Sequence, residues 1–266
     1  MKRLLILLTF CLILPMSYAE TVIDHVPYSI TSSGTYVLNS DLSGGRICID
    51  SDNVVLDGQG HKLTNGCIVA QGKNNVTIKN IGVFDSNSKG IILQGCENIT
   101  LSQITANDNK YYGIFLQACK HCQLSDITTD NNGNYGIYLQ GSNYNTFNGL
   151  TTSGNGIYGV YLPGSDYNTF NGLTTSGNGI YGVELFGSKN NTFYNWQIPE
   201  GWNNCGNINN SGYNGNIFYN SPSGNSTEGN ESSSEVSSGN TIKTPIPLPA
   251  IIIILSIPII ALRKLN

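Results

Sequence analysis

The stretch NTFNGLTTSGNGIYGV occupies residues 145–160 and returns unchanged at residues 168–183. The two copies therefore begin 23 residues apart (168 − 145). A catalytic site does not need to be written twice within so short a chain, whereas a structural unit that stacks on copies of itself does. The duplication points to a repeat architecture.

The repeat extends well beyond these two copies. Written in lines of 23 residues, the chain keeps its register over five consecutive lines without a gap, and chance does not preserve register over such a length. A sixth, degenerate line begins at Phe186. The five full lines begin at Gln71, Gln94, Gln117, Gln140 and Pro163.

Each line carries short apolar segments rather than one long one. Near the end of every line, two apolar residues flank one variable residue, which is the period-two pattern of a strand with one buried face. No apolar set returns at the 3.6-residue spacing of a helix. The apolar pairs are Ile91/Leu93, Ile114/Leu116, Ile137/Leu139, Val160/Leu162 and Val183/Leu185.

Glycine and asparagine separate the apolar segments at fixed places in the line. We expect left-handed backbone or side-chain-to-backbone hydrogen bonds there, as in tight turns. Three short strands and three turns per line predict an all-β fold, a right-handed parallel β-helix with coils of about 23 residues. The recurring turn residues are Gly90, Gly113, Gly136, Gly159 and Gly182, and Asn109, Asn132, Asn155 and Asn178.

Composition agrees with a Gly/Asn-rich solenoid rather than a compact α/β enzyme. The 266 residues include 31 glycines, only 11% are charged, and the formal net charge is −4. With 13 lysines and arginines in total, the chain is poorly equipped to neutralise phosphates, which argues against a nucleic-acid partner.

The two ends of the chain predict an extracytoplasmic location. Residues 1–19 have the basic start, apolar run and small-residue end of a signal peptide. Residues 20–47 are interpreted as an N-terminal cap and 48–219 as the β-helix, with a capping segment from about residue 196. Residues 220–244 form a Ser/Gly/Asn/Glu-rich linker, and 245–266 an apolar membrane anchor or sorting signal with a basic, cytoplasmic end.

Three stretches in this order carry a family resemblance: YSITSSGTYVLNSDL, DNVVLDGQGHKL and lines such as NNVTIKNI. They resemble the NosD-like branch of the right-handed β-helix proteins, the carbohydrate-binding and sugar-hydrolase (CASH) repeats of the pectin lyase-like fold. The resemblance covers roughly residues 27–198. It implies the fold, but that fold serves lyases, hydrolases, epimerases and non-catalytic binders alike.

Residues for catalysis are sparse. A lyase of this fold needs an arginine and a carboxylate cluster, yet Arg46 is the only arginine between the two terminal segments, and Asp108, Asp126 and Asp130 fall on different faces or turns. Asp57 and His61 come nearest to an acid–base pair, but the glycines between them favour a turn. No catalytic residue is therefore assigned, and a polysaccharide-active enzyme remains the alternative to a binding or envelope-structural module.

The cysteines favour a disulfide over a metal site. Cys119 lies one coil after Cys96 in the register, about 5 Å away, which is within disulfide range. Cys122 takes an inward apolar place. The resemblance also implies copper handling as a second alternative, but Cys119–Cys122 is a lone CxxC pair, so we expect no cofactor and no metal.

Two aromatic stripes are the candidate ligand-binding residues. Rings spaced along a rod can stack on sugar rings, and they can also serve only as ladders that stabilise a sheet. The expected partners are a cell-surface or extracellular polysaccharide, other envelope proteins, and the membrane through the C-terminal segment. The outward stripe is Phe115, Tyr138 and Tyr161, and the stripe beside the glycine turn is Tyr112, Tyr135, Tyr158 and Tyr181.

Glycosylation is also predicted by motif. Asparagine in an N-x-S/T sequon can carry a glycan if the host has the machinery, although a repeat rich in Asn and Thr produces such triplets by chance. The sequon asparagines are Asn75, Asn98, Asn190, Asn209, Asn225 and Asn230.

Overall fold

A computed structural model describes residues 20–197, 208–209 and 215–219 of the chain. These residues form a parallel β-solenoid of about seven coils, built from two long sheets and without a helix. No helix within the described ranges is long and apolar enough to cross a membrane. The predicted signal peptide, linker and membrane segment lie outside the described residues.

The larger sheet has thirteen strands and the smaller has nine. The larger sheet contains β1 Thr21–Ile23, β3 Gly34–Leu38, β4 Leu42–Ser43, β6 Val54–Asp57, β7 Lys62–Thr64, β9 Val76–Phe84, β11 Thr100–Asn107, β13 Gln123–Thr128, β15 Thr146–Ser153, β17 Thr169–Asn171, β18 Thr174–Ser176, β20 Thr192–Tyr194 and β22 Ile217–Tyr219. The smaller sheet contains β2 Tyr28–Ile30, β5 Arg46–Ile49, β8 Cys67–Gln71, β10 Ile91–Gln94, β12 Tyr112–Gln117, β14 Tyr135–Gln140, β16 Tyr158–Tyr161, β19 Tyr181–Glu184 and β21 Ile208–Asn209.

The 23-residue register predicted from the sequence is confirmed. Ile91 pairs in parallel with Ile114, and Ile114 with Ile137, so each apolar pair lies on its equivalent in the next coil. Their side chains form one continuous core. Like side chains stack on like, as nearest-neighbour packing in a solenoid requires.

The region predicted as an N-terminal cap already takes part in the sheets. Strand β1 pairs with β3, and β2 pairs with β5, so stacking begins at Thr21. At the other end of the described stack, β22 pairs with β20 and extends the larger sheet to residue 219. Trp196, near the start of the predicted capping segment, packs against the core.

The recurring turn glycines and asparagines were expected to be left-handed, but the positive φ angles occur at residues near them in each 23-residue line. Gly113 does not have a positive φ; it is glycine because a Cβ would lie 2.6 Å from the carbonyl oxygen of Ala106 and 2.8 Å from that of Gly136. Asn132 is buried, and its amide donates to Ala106 O at 3.0 Å. The left-handed residue of this turn is Asn131, with φ of 54°.

A second left-handed position bends the larger sheet within each coil. Asn80, Gln103 and Asp126 have φ of 51°, 53° and 54°, and Gly149 and Gly172 take the same place in the next two coils. After each of these residues the alternation of buried and exposed side chains restarts. Together with the smaller sheet, the bent sheet encloses the core.

Candidate functional site

The tyrosines beside the glycine turn form one stack along the smaller sheet. Tyr112 and Tyr135 have ring centroids 5.1 Å apart, Tyr135 and Tyr158 5.5 Å, and Tyr158 and Tyr181 5.9 Å. The planes of successive rings differ by 12°, 7° and 9°. In-register pairing of β12, β14, β16 and β19 sets this spacing.

The outward stripe packs directly against this stack. Phe115 and Tyr138 lie 5.2 Å apart and Tyr138 and Tyr161 5.3 Å, while Tyr135 lies 5.3 Å from Tyr138 and 5.0 Å from Tyr161. The sequence predicted two separate stripes of rings. The structure instead interlocks the two stripes into one continuous patch, which we call the double ladder.

Phe115 differs most from the sequence-based picture of an exposed ring. Only 4% of it is exposed, because Tyr112 and Tyr138 flank it and the Lys89 ammonium lies 4.0 Å from its ring centroid. Tyr138 and Tyr161 stay half-buried. The accessible part of the double ladder is therefore formed by its tyrosines.

The double ladder is charged differently at its two ends. Lys89 lies at the Phe115 end, where burial lowers the pKa of its ammonium group. Glu184 takes the place of Tyr161 in the next coil. Burial, followed by the charge of Glu184, raises the pKa of the Tyr158 and Tyr161 phenols. These phenols are neutral hydrogen-bonding groups over a wide pH range.

The acid–base pair suggested by the sequence is not assembled. Asp57 accepts a hydrogen bond from the Gln59 backbone at 2.9 Å and pairs with Lys79 at 3.1 Å, so it organises the turn. His61 faces Asp41 instead, at 3.3 Å. The interpretation of this segment as a turn is therefore supported by the contacts.

A shallow depression lies beside this turn on the larger sheet. Its volume is about 570 Å³, and Gln59, Lys62, Phe84 and Gln103 contribute to its wall. No carboxylate lines it, and the Lys62 ammonium lies 5.5 Å from the Phe84 ring centroid. It lacks the paired acids that glycoside hydrolysis requires.

The predicted disulfide between Cys96 and Cys119 is absent, and both thiols are free and buried. Side chains at equivalent inward places of a parallel stack point in the same direction, whereas a disulfide needs Cβ atoms that face each other. The Cys96 thiol donates to Ala70 O and the Cys119 thiol to Leu93 O, each at 3.4 Å. Hydrogen bonding between neighbouring thiols, together with burial, raises both pKa values, that of Cys119 to about 12.

Sequence reasoning missed a second group of aromatic rings. His121, Tyr144 and Tyr167 occupy the same corner of successive coils, with ring centroids 5.6 and 5.0 Å apart and nearly parallel planes. We call these three rings the corner stack. The sequence did contain a signal for this corner. The 23-residue register aligns the three rings with Asn98 in the preceding coil and Asn190 in the following one.

The three sequon asparagines whose side chains are described share this corner. Asn75, Asn98 and Asn190 have φ of 54°, 54° and 55°, and the first two are exposed. Asn209 lies in β21, where only the backbone is described, and Asn225 and Asn230 lie outside the described residues. Glycosylation of any of them stays a prediction.

Several solved structures resemble this fold, among them those of two alginate enzymes. The periplasmic alginate epimerase AlgG aligns with a TM-score of 0.56 and 15% identity, covering 71% of this chain and 50% of the epimerase. An alginate lyase from Paenibacillus aligns at 0.55 and 12%, covering 77% and 96%. The enzymatically active domain of a bacteriophage CBA120 tailspike aligns at 0.52 and 15%, covering 77% and 36%. These likenesses establish the fold, and this chain spans about half the length of the epimerase.

None of the curated proteins compared with the chain matches it in sequence. A protein-family model does match, over residues 20–241, and its description is periplasmic copper-binding protein (NosD). That description implies copper, which binds imidazole, thiolate and thioether groups. In the described part of the chain no three His, Cys, Asp or Glu side chains come together as a metal site, and His25, His61 and His121 each face a different carboxylate. These residues do not fit a copper centre. The matched segment covers most of the sequence, and the chain belongs to the NosD family.

Proposed function

We propose that this protein is a non-catalytic, polysaccharide-binding β-helix of the cell surface. The observation that carries the proposal is the double ladder, whose six tyrosines form a continuous aromatic patch on one face of the solenoid. Aromatic rings bring large apolar faces, and the tyrosine hydroxyls can exchange hydrogen bonds with sugar hydroxyls. A rigid array of this kind gives binding without ordering a loop.

The location outside the cytoplasm rests on several observations. The NosD family is described as periplasmic, and the structurally similar epimerase AlgG is a periplasmic enzyme. We propose that residues 1–19 direct export, that 220–244 act as a flexible tether, and that 245–266 anchor the protein in the membrane with a cytoplasmic end. The solenoid, with its predicted capping segments, then faces the polysaccharides of the envelope and other envelope proteins.

Polysaccharide cleavage or epimerisation is less well supported by the geometry. Asp57 is committed to Lys79 and the turn, His61 to Asp41, and the depression on the larger sheet lacks a carboxylate. Copper handling lacks a ligand set among the described residues. The double ladder needs neither paired acids nor metal ligands, because stacking on a sugar requires only accessible rings.

The proposal is tested with the full-length protein by affinity electrophoresis in gels cast with alginate, pectin, laminarin or xylan. We expect at least one of these polysaccharides to retard the parent without being depolymerised. The Tyr138→Ala/Tyr161→Ala variant should be retarded less. Tyr194→Ala is the matched control, since Tyr194 also stacks on a tyrosine, Tyr219 at 5.0 Å, but on the larger sheet.

Three results would overturn the proposal. The first is a parent that no gel retards, and the second is a double variant that migrates like the parent in the gel that retards it. The third is release of reducing ends or unsaturated sugars from any of the four polysaccharides, which would establish an enzyme instead.

A further inference from the structure

We propose that the corner stack of His121, Tyr144 and Tyr167 is a second contact surface for the same polysaccharide. This inference rests on the proposed function and adds to it a site that the double ladder does not include. The corner stack follows the smaller sheet by only a few residues: Tyr138 lies in β14, Gln140 ends that strand, and Tyr144 is at the corner beyond it. A polysaccharide chain crossing the smaller sheet would reach both surfaces.

The backbone at this corner makes tyrosine an unexpected residue. Tyr144 and Tyr167 have φ of 58° and 57°, a left-handed conformation in which bulky side chains are rare and asparagine is favoured. Asn98 and Asn190 occupy the same corner with φ of 54° and 55°. Asparagine therefore meets the structural requirement, and the two tyrosines are not needed to form the turn.

Buried residues on both sides of the tyrosine hold the corner in this conformation. Ser142, two residues before Tyr144, accepts a hydrogen bond from Cys119 N at 3.0 Å. Asn145, one residue after it, accepts one from Cys122 N at 2.9 Å and donates to Asn168 Oδ1 at 3.0 Å. Unfavourable backbone conformations persist where the surroundings determine them in this way, and they cluster at functional sites.

The rings themselves are the most accessible stacked aromatics in the described coils. Tyr144 is 50% exposed, Tyr167 is 48% exposed and the His121 side chain is 52% exposed, in contrast to Phe115 at 4%. The stack ends at short residues, Asn98 on one side and Asn190 on the other. A sugar ring placed over Tyr167 would continue the stack where the described residues supply no ring.

The polar groups beside the corner stack suit a neutral pyranose. The residue before each ring is Lys120, Asn143 and Asp166 in turn, which offers a cation, an amide and a carboxylate in successive coils. Asn143 and Asp166 also bond to the next coil, through Asp166 N at 2.7 Å and Lys189 N at 2.7 Å, so their side chains are fixed. This mixture of donors and acceptors matches sugar hydroxyls better than a row of like charges.

The test replaces both tyrosines by the residue that the neighbouring coils use. In the full-length Tyr144→Asn/Tyr167→Asn variant, we expect the dissociation constant for laminarin, measured by affinity electrophoresis, to rise between about threefold and tenfold. The melting temperature should stay equal or rise, because asparagine relieves the left-handed strain. Both substitutions precede Asn-Thr, so the proteins are produced in a host without N-glycosylation. Tyr144→His is the conservative control and should retain most binding, since His121 already accommodates an imidazole at this corner.

The outcomes separate this inference from the proposed function. If laminarin retards the parent and the double Asn variant equally, the corner-stack inference is wrong and the double ladder can still be the binding surface. A variant that binds weakly but also melts well below the parent would make the rings structural, which overturns the inference as well. If alginate, pectin, laminarin and xylan all fail to retard the parent, the proposed function itself fails. If alginate or pectin retards the parent and neither laminarin nor xylan does, the assignment of a neutral pyranose is wrong. If xylan retards the parent and laminarin does not, the same comparison of variants is made in the xylan gel.

Discussion

The two aromatic surfaces of this solenoid use the same repeat in opposite ways. In the double ladder, Tyr135 contacts four other rings, and its backbone is an ordinary strand. In the corner stack, Tyr144 pairs with two of the described rings, those of His121 and Tyr167, and its backbone is left-handed. In the first arrangement the rings support one another along the solenoid and each tyrosine stays partly accessible, whereas the second exposes its rings further at a conformational cost.

This contrast explains how one coil can serve both stability and binding. Parallel in-register strands bring equivalent residues within stacking distance whether or not stacking is useful. Rings in the middle of a sheet are covered by their neighbours, as Phe115 is by Tyr112, Tyr138 and Lys89. Rings at a corner have neighbours only along the rod, so their outer edges remain open.

The largest effect is expected from removing the buried amide that holds the corner. Asn168 follows Tyr167 and is fully buried; its side chain accepts from Asn145 N at 2.9 Å and donates to Ser142 O at 2.9 Å. Asn168→Ala leaves several buried polar groups without partners, so unfolding free energy should fall by about 3–5 kcal/mol. Denaturant unfolding followed by circular dichroism measures this loss.

Asn171→Ala is the control for that measurement, because Asn171 is an exposed residue of β17. It should change the unfolding free energy by less than about 0.5 kcal/mol. If Asn168→Ala is equally mild, the buried amides do not hold the corner, and the strain argument for the corner stack loses its basis.

A smaller loss is expected from the centre of the double ladder. Tyr135→Ala removes a half-buried ring with four aromatic neighbours, which should lower the unfolding free energy by about 2–3 kcal/mol. Tyr135→Phe keeps the ring and should be nearly neutral. Thermal melts of both variants beside Tyr144→Asn test the contrast directly, since removing the ring should lower stability at Tyr135 but leave it unchanged or improved at Tyr144. Equal losses at Tyr135 and Tyr144 would erase the distinction between the two surfaces.

The sequence predicted the coil and its register, but not which outward side chains are covered. The register could be read because inward residues such as Ile91 and Ile114 must lie on their equivalents. The burial of Phe115 could not be read from the sequence. A period-two pattern shows on which side of the sheet a residue lies, but not that a lysine and other rings cover it. Similarly, Asn131 and Asn132 are adjacent and of the same residue type. Asn131 is nevertheless left-handed and exposed, whereas the Asn132 amide is buried.

The corner stack was missed for a related physical reason. Tyrosine favours strands and is depleted at turns, so its propensity hides a left-handed corner. Only the alignment of Tyr144 with Asn98 and Asn190 discloses the conformation. The disulfide prediction failed because the register gives the separation of two cysteines and not the direction of their side chains.

Alkaline pH should weaken the double ladder selectively. Burial raises the pKa of the Tyr112, Tyr135, Tyr138, Tyr158 and Tyr161 phenols above the ordinary value near 10. A raised pKa of an acid in the folded state means that its stabilising share is complete below about pH 10 and is lost as pH rises beyond that value. The melting temperature should therefore fall above about pH 10.

The matched variant for this titration is Tyr135→Phe/Tyr158→Phe, which keeps both rings and removes two phenols. It should lose less stability than the parent between about pH 10 and pH 12. Tyrosinate absorbance provides the second measurement, in which part of the 15 tyrosines should ionise only as the protein unfolds. An equal alkaline loss in both proteins would place the responsible groups outside the double ladder.

The smallest effect is expected from reducing agents, and it concerns the turn between the two surfaces. Cys119 lies between Phe115 of the double ladder and His121 of the corner stack, so a disulfide to Cys96 would join this turn covalently to the preceding coil. The structure holds this turn instead by hydrogen bonds, such as that from Cys119 N to Ser142 Oγ at 3.0 Å. Dithiothreitol should then leave the melting temperature unchanged. In the native protein, buried and protonated Cys96 and Cys119 should resist a thiol reagent, and both should be labelled after denaturation without reduction. A peptide map that finds Cys96 joined to Cys119 would contradict this, and would mean that the corner stack is held by a covalent bond as well as by its buried amides.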